Sequence, residues 1–441
     1  GGAGGGPAMP VTVHSLRRQA EPLRYTLIAL ALLLALPSLL LALFPRRLAT
    51  GLDRLQADAA LLQSFAARPG DPPPPLWMDR LGPLEAQRFW AQQRRLWWQF
   101  WGPHGDAGSY LVIPASKGQL PPAAALAVDD LWVIAPSPLA RQLLAQQLSL
   151  QRRPSRGLDQ RCTATLLQRT AVHWNGIALA QMLGPMAPFS ALLQQGCLQL
   201  SSDAGSLVWT GEADATAGTL TAAPAWLAPP ARAPMAAPQL LLLQGQRLDL
   251  LLRGLNASSL LRTTLAERYG LGPEQWRRLK TAPFTLELRQ EPNGPFRAGL
   301  QLVVDLPPDR LFWDRWLADL SRSLERQGLE RHQPLPRLTS WSRPDGTVVG
   351  GWRWLATRRL VWFLGPIPAS LPPSGPQMAA PMDVDWRLQL RPQALAQVAL
   401  LPEPLPLVVR RAQSVQLQGR LERGGASGGS QSSVSGRLEL R

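Results

Sequence analysis

Residues 27–44 (LIALALLLALPSLLLALF) carry no charged side chain, and arginines flank them at Arg17, Arg18 and Arg24 on one side and at Arg46 and Arg47 on the other. At a rise of ~1.5 Å per residue the run reaches about 27 Å, the thickness of a thin hydrocarbon core. The pattern predicts a transmembrane helix. The run exceeds an ordinary signal-peptide core, and Phe44-Pro45-Arg46-Arg47 lacks the small residues a cleavage site needs, so an uncleaved signal anchor is expected. Pro37 removes one donor at mid-span, which Ser38 can offset. With Arg54 counted beside Arg46 and Arg47 the flanking arginines balance, and a long domain after a signal anchor is exported largely regardless of charge. The C-terminal part is therefore expected outside the cytoplasm, behind a short tail at 1–26 whose opening glycines precede a candidate start at Met9.

Beyond the anchor the hydrophobic period changes. Residues 45–75 read as a helical stalk and Pro-rich linker: the helix spans 48–67 with Leu48, Leu52, Leu55, Ala59, Leu62 and Ala66 on one side, and Asp71-Pro72-Pro73-Pro74-Pro75 ends it. A Pro/Ala-rich linker at 223–239 then separates one module at 76–222 from a second at 240–441. Strict alternation at Phe284, Leu286 and Leu288, a turn at Pro292-Asn293-Gly294-Pro295, and resumed alternation from Phe296 to Val304 predict an antiparallel hairpin with one dry face. A helix from Asp309 collects Trp313, Trp316, Leu317, Leu320 and Leu324 on one stripe and should lie across that sheet. The Gly/Ser stretch at 424–433 reads as a flexible loop.

The order of features is similar in the two modules. Asp79-Arg80-Leu81 and Asp309-Arg310-Leu311 each open a Trp-bearing segment; Leu131-Trp132-Val133-Ile134 and Leu360-Val361-Trp362-Phe363 each precede a proline pair; Trp174 and Trp386 each lead an apolar stretch. Each module then closes with a strand pair. The expectation is an α+β protein: an N-terminal transmembrane helix, then two similar modules of antiparallel sheet with packed helices and a groove between them.

Composition narrows function by exclusion. The net charge of +16 is almost entirely arginine, scattered in pairs such as Arg152-Arg153 and Arg277-Arg278, so no nucleic-acid stripe is formed and an anionic surface is the better electrostatic partner. Cys162 and Cys197 exclude a disulfide framework and a cysteine zinc site, and Cys197 in CLQL reads as a small buried hydrophobe rather than a bonded one. Four histidines stand without metal-ligand spacing; His104, Asp106 and Ser109 sit in turn chemistry. Gly425-Ala426-Ser427-Gly428-Gly429 matches a nucleophile elbow in letters but lies in the Gly/Ser stretch, and Asp383-Val384-Asp385 reads as a solvated strand entry. Neither catalytic residues nor a cofactor or metal site is expected.

The seventeen tryptophans carry the remaining signal. Trp90, Trp97, Trp98 and Trp101, with Arg94 and Arg95, have the composition of a helix lying in a headgroup layer, against the alternative of a helix packed on its own sheet. At Asp129-Asp130-Leu131-Trp132-Val133-Ile134-Ala135-Pro136-Ser137-Pro138-Leu139-Ala140 the chain resembles a cyanobacterial family of single-anchor membrane proteins known only as a domain of unknown function. That resemblance implies a large α+β ectodomain and no catalytic residues. The sequence thus predicts a membrane-anchored extracytoplasmic scaffold or binder of an envelope or membrane component, touching lipid through its anchor and without nucleic acid. A hydrolase or transferase acting on envelope lipid or glycan in a groove between the modules is the alternative.

Overall fold

The computed structural model describes Gly2 and residues 48–102, 108–116, 118, 120–150, 153–183, 195–203, 205–214, 227–249, 251–252, 259–368, 383–401, 403, 405–423 and 430–440. The apolar run 27–44, His104 and residues 425–429 lie outside them. Among the described residues no helix is long and apolar enough to cross a membrane.

In chain order the elements are α1 (Leu52–Gln56), β1 (Leu61–Ala66), α2 (Pro75–Gln92), β2 (Leu96–Trp101), β3 (Ser109–Pro114), β4 (Ala125–Val128), β5 (Leu131–Ile134), α3 (Pro138–Leu148), α4 (Leu158–Gln168), β6 (Ala171–Asn175), α5 (Gly176–Leu183), β7 (Gln195–Asp203) and β8 (Ser206–Asp214). They continue as β9 (Gln239–Gly245), α6 (Ser259–Tyr269), α7 (Pro273–Leu279), β10 (Phe284–Gln290), β11 (Ala298–Asp305), α8 (Arg310–Arg326), β12 (Glu330–Leu335), β13 (Leu338–Ser342), β14 (Val348–Trp354), β15 (Arg359–Leu364), β16 (Trp386–Leu390), α9 (Pro392–Gln397), α10 (Leu407–Arg410), β17 (Ser414–Arg423) and β18 (Ser430–Glu439).

All the strand pairs are antiparallel and chain into one sheet. The first eight strands, from their outer edge inward, follow the order 4-5-3-2-1-6-7-8. The rest follow 12-13-14-15-11-10-9-16-17-18. With the outer hairpin β12–β13 set aside, the two orders use the same connections. β8 and β18 then join the two parts through nine consecutive pairs, from Ser206 opposite Glu439 to Asp214 opposite Gln431. A strand ladder therefore runs where the sequence suggested a groove.

Helices on both faces explain why strands such as LWVI at Leu131–Ile134 are buried at every position rather than at alternate ones. On one face Leu62, Trp98, Phe100, Val112 and Val133 pack against Leu52, Leu144, Leu148, Leu158 and Leu166 of α1, α3 and α4. On the other, Trp97, Leu111, Ile113 and Trp132 pack against Trp77, Phe89 and Trp90 of α2. That second face continues as an apolar layer through Leu200, Trp209, Val434 and Trp386 to Phe284, Val304 and Leu360, where α7 and α8 cover it. Each fully buried side chain of this size is worth about 1.5–3 kcal/mol. Where a tryptophan lies across a neighbouring strand the sequence supplies glycine: a Cβ on Gly196, Gly419 or Gly436 would come within 2.2, 2.4 or 2.3 Å of the rings of Trp174, Trp386 and Trp209.

Several expectations are corrected. The second half of the stalk is β1, because Leu62 and Ser64 sit at full burial between β2 and β6, and sheet pairing overrides the helical spacing. The segment around Trp97 is a strand rather than a helix, since it pairs with β1 and β3. The helices opened by Asp79 and Asp309 are not equivalent: α2 connects β1 to β2, whereas α8 connects β11 to β12. Cys162 and Cys197 form a disulfide. Cys197 pairs with His173 on one side and Glu212 on the other in the sheet register, and α4 lies over that row, so the two thiols meet. Ser430–Ser433 belong to β18 instead of a loop.

The described part of the Pro/Ala-rich linker is a strap laid on the sheet. A proline-rich chain leaves its carbonyls unpaired, and the sheet supplies donors: Gln418 Nε2 and Ser435 Oγ donate to the Ala228 carbonyl at 3.0 and 2.7 Å, and Gln416 Nε2 to that of Ala233 at 2.9 Å. Arg232 reaches Ser206 Oγ at 2.8 Å and Glu439 at 3.2 Å.

Candidate anion-binding cleft

Asp309 caps α8 by accepting from the Phe312 amide at 3.1 Å, and the same carboxylate accepts from Arg278 of α7 at 2.7 Å. These two contacts hold its carboxyl below the usual aspartate range, the Arg278 hydrogen bond being the larger cause. Arg278 also stacks on the Phe312 ring at 3.9 Å. The capped helix buries Trp313, Trp316, Leu317 and Leu320 on the sheet. Its flank then faces the β12–β13 hairpin, the element that has no counterpart in the strand order of β1–β8.

Between that flank and the hairpin lies a cleft of about 560 Å³, floored by Trp352 and Trp354 of β14 with Leu317 and Leu338 at the sides. Arg310 enters from α8, Arg331 from β12 and Arg337 from the turn joining β12 to β13, where it adopts a positive φ of 62°. The one carboxylate among the lining residues, Asp314, accepts both of its hydrogen bonds from Arg310 Nε at 2.9 Å. Arg310 lies at the same time 3.5 Å over the Trp354 ring, so the guanidinium is fixed by stacking and by its partner together. Arg331 and Arg337 are exposed, and among the described residues no carboxylate lies within ion-pair distance of either. Three guanidinium groups against one aspartate leave the cleft cationic over an aromatic floor.

Such a lining suits an oxyanion carried on an apolar or sugar-like body: arginine forks bind carboxylate and phosphate oxygens bidentately, and indole faces take the uncharged part. Among the described residues no group of His, Cys, Asp and Glu could hold a metal ion.

The residues singled out in the sequence lie elsewhere. Trp90, Trp97, Trp98 and Trp101 are each 4% exposed and are spent in the core, with Trp77, Trp90 and Trp97 in edge-to-face contact. Of the six residues singled out there, only Arg94 and Arg95 are exposed. His173 is buried and meets Asp159 at 3.1 Å, and His332 meets Ser342 Oγ at 2.8 Å. Asp385 accepts from the Leu421 amide at 2.7 Å, while Asp383 faces Arg387 at 3.6 Å, so the two carboxylates do not act as a pair. The cleft residues escaped sequence reasoning because they come from unlike elements far apart in the chain: one helix flank, one exposed edge strand and one tryptophan pair at Trp352 and Trp354. That alternating pair, with Pro334 and Pro336 breaking the edge strand opposite, is the signal that could have found them. No family model, no curated protein and no solved structure matches the chain.

Proposed function

We propose that the chain is a single-pass, membrane-anchored protein whose body stands outside the cytoplasm and binds, without chemical turnover, an anionic envelope component in the α8/β12–β14 cleft. The observation that carries the binding reading is the cationic lining over Trp352 and Trp354. The Cys162–Cys197 disulfide supports the compartment, because such bonds persist where glutathione and thioredoxin do not reduce them. The apolar run 27–44 supports the tether. The like order of strands in β1–β8 and β9–β18 supports descent of the body from one duplicated module, with β12–β13 added to the second copy to build the cleft.

The test is purification of the full chain from native membranes in mild detergent, with mass spectrometry of what elutes with it. An acidic lipid or glycan enriched by the wild type and reduced about tenfold by the double substitution Arg331→Ala and Arg337→Ala is expected, that ratio corresponding to about 1.4 kcal/mol. Equal recovery by both proteins would sink the cleft as the binding site.

A further inference from the structure

Helix α3 is apolar on two opposite sides. Ser137 caps it by accepting from the Ala140 amide at 3.1 Å, and Pro138 sits at its first position, so its start and hence its facing are fixed. Leu144 and Leu148 are buried in the core. At 100° per residue Leu139, Leu143 and Leu150, the last just past the final turn, fall on the far side, and they are 65%, 51% and 62% exposed. One exposed leucine needs no explanation. Three in a line, turned about 140° around the helix from the core-facing pair, need a partner.

The chain's own tether says what that partner is. The body begins at Thr50, and the amide of the next residue, Gly51, donates to Asp129 Oδ2 at 2.6 Å. Arg54, three residues on, pairs with the same carboxylate at 3.4 Å and donates to the carbonyl of Leu148 in the last turn of α3. The C-terminal end of α3 is thereby pinned to the point where the chain enters the body. Only six residues lie between Phe44 and Gly51, a reach of at most about 25 Å. Residues 138–153 contain no carboxylate, and Arg152 and Arg153 follow the helix in the sequence, which suits an anionic headgroup layer.

We infer that α3 lies in the headgroup layer of the bilayer that holds the anchor, with Leu139, Leu143 and Leu150 immersed. This rests on the anchor reading above and replaces the tryptophan-rich segment as the surface that meets lipid.

The experiment uses the full chain in vesicles containing phosphatidylglycerol, with a bimane label at Leu143→Cys or, as control, at Asp345→Cys in the β13–β14 turn, and doxyl-labelled lipid as quencher. The Leu143 label should lose about half its emission or more and the control little, as for a side chain 5–10 Å deep in the interface. Alkaline carbonate extraction of the same vesicles separates the two ideas. Protein retained by carbonate but unquenched at residue 143 overturns the α3 contact and leaves the anchor standing; protein stripped by carbonate overturns both. Energy transfer between residue-143 labels on different chains, without lipid quenching, assigns the stripe to a second copy and overturns the proposal.

Discussion

At the scale of single residues the structure turns on a few polar groups that each do two jobs. Asp309 caps α8 and pairs with Arg278, and both contacts favour its ionised form. A carboxyl held below its unfolded value adds stability above that value and loses it as pH falls through the folded one. The α8 end of the cleft should therefore loosen below about pH 4, the ordinary aspartate range. Tryptophan fluorescence of the body, reporting Trp313 and Trp316, should show an acid transition that Asp309→Asn removes, because asparagine still caps but does not titrate. An unchanged transition in that variant would place the acid-sensitive group elsewhere. The cap was legible in the sequence, since an aspartate before an amphipathic stripe has a local cause. The destination of the tryptophans was not. Trp97, Trp98 and Trp101 beside Arg94 and Arg95 have the composition of an interfacial helix, and only their pairing with distant β1 and β3 makes them core.

Among elements, α4 is fastened to three neighbouring strands by three unlike contacts. Asp159 meets His173 of β6, Cys162 is bonded to Cys197 of β7, and Arg161 grips Glu212 of β8 through two hydrogen bonds of 2.8 and 2.6 Å. The Arg161 guanidinium is held above its ordinary pKa, chiefly by the Glu212 hydrogen bond, so it stays charged. The disulfide closes a loop with a sequence separation of 35, which restrains the unfolded chain by about 3–4 kcal/mol. Replacing both cysteines by serine should lower the stability of the oxidised protein by about that amount, read as a lower denaturation midpoint, while leaving a folded body, because the flanking side-chain contacts remain. A midpoint that does not move under oxidising conditions would mean that the thiols do not bond in solution. The sequence hid this bond because two cysteines thirty-five residues apart have no local reason to meet. The hairpin β10–β11 and helix α8 were legible because period and turn residues decide them within a few positions. β1 was misread for the converse reason: LLQSFA satisfies a helical spacing locally, and its burial between β2 and β6 is a fact about residues far along the chain.

For the molecule as a whole, the decisive feature is that the ladder does not stop at the Pro/Ala-rich stretch. Residues 50–150 and 154–441 form one body, and the nine pairs between β8 and β18 join strands that the sequence had assigned to separate modules. The strap at 227–238 reinforces the junction, since Gln416, Gln418 and Ser435 of β17–β18 hold its carbonyls and Arg232 ties it to β8 and β18. A linker in the ordinary sense would let each half unfold alone. Opening either half would break the strap bonds of Gln416, Gln418 and Ser435 together with the β8–β18 ladder, each hydrogen bond contributing about 0.5–1.5 kcal/mol net. Cooperativity should therefore span both halves. In urea, tryptophan fluorescence and hydrogen exchange in β3–β5 and in β13–β15 should report one common transition for the whole body. Val434→Pro, which removes a donor at the centre of the β8–β18–β17 ladder, should destabilise both regions together. Two separated transitions in the unmodified protein would mean that the halves are independent domains in contact, and would return the cleft to the second half acting on its own.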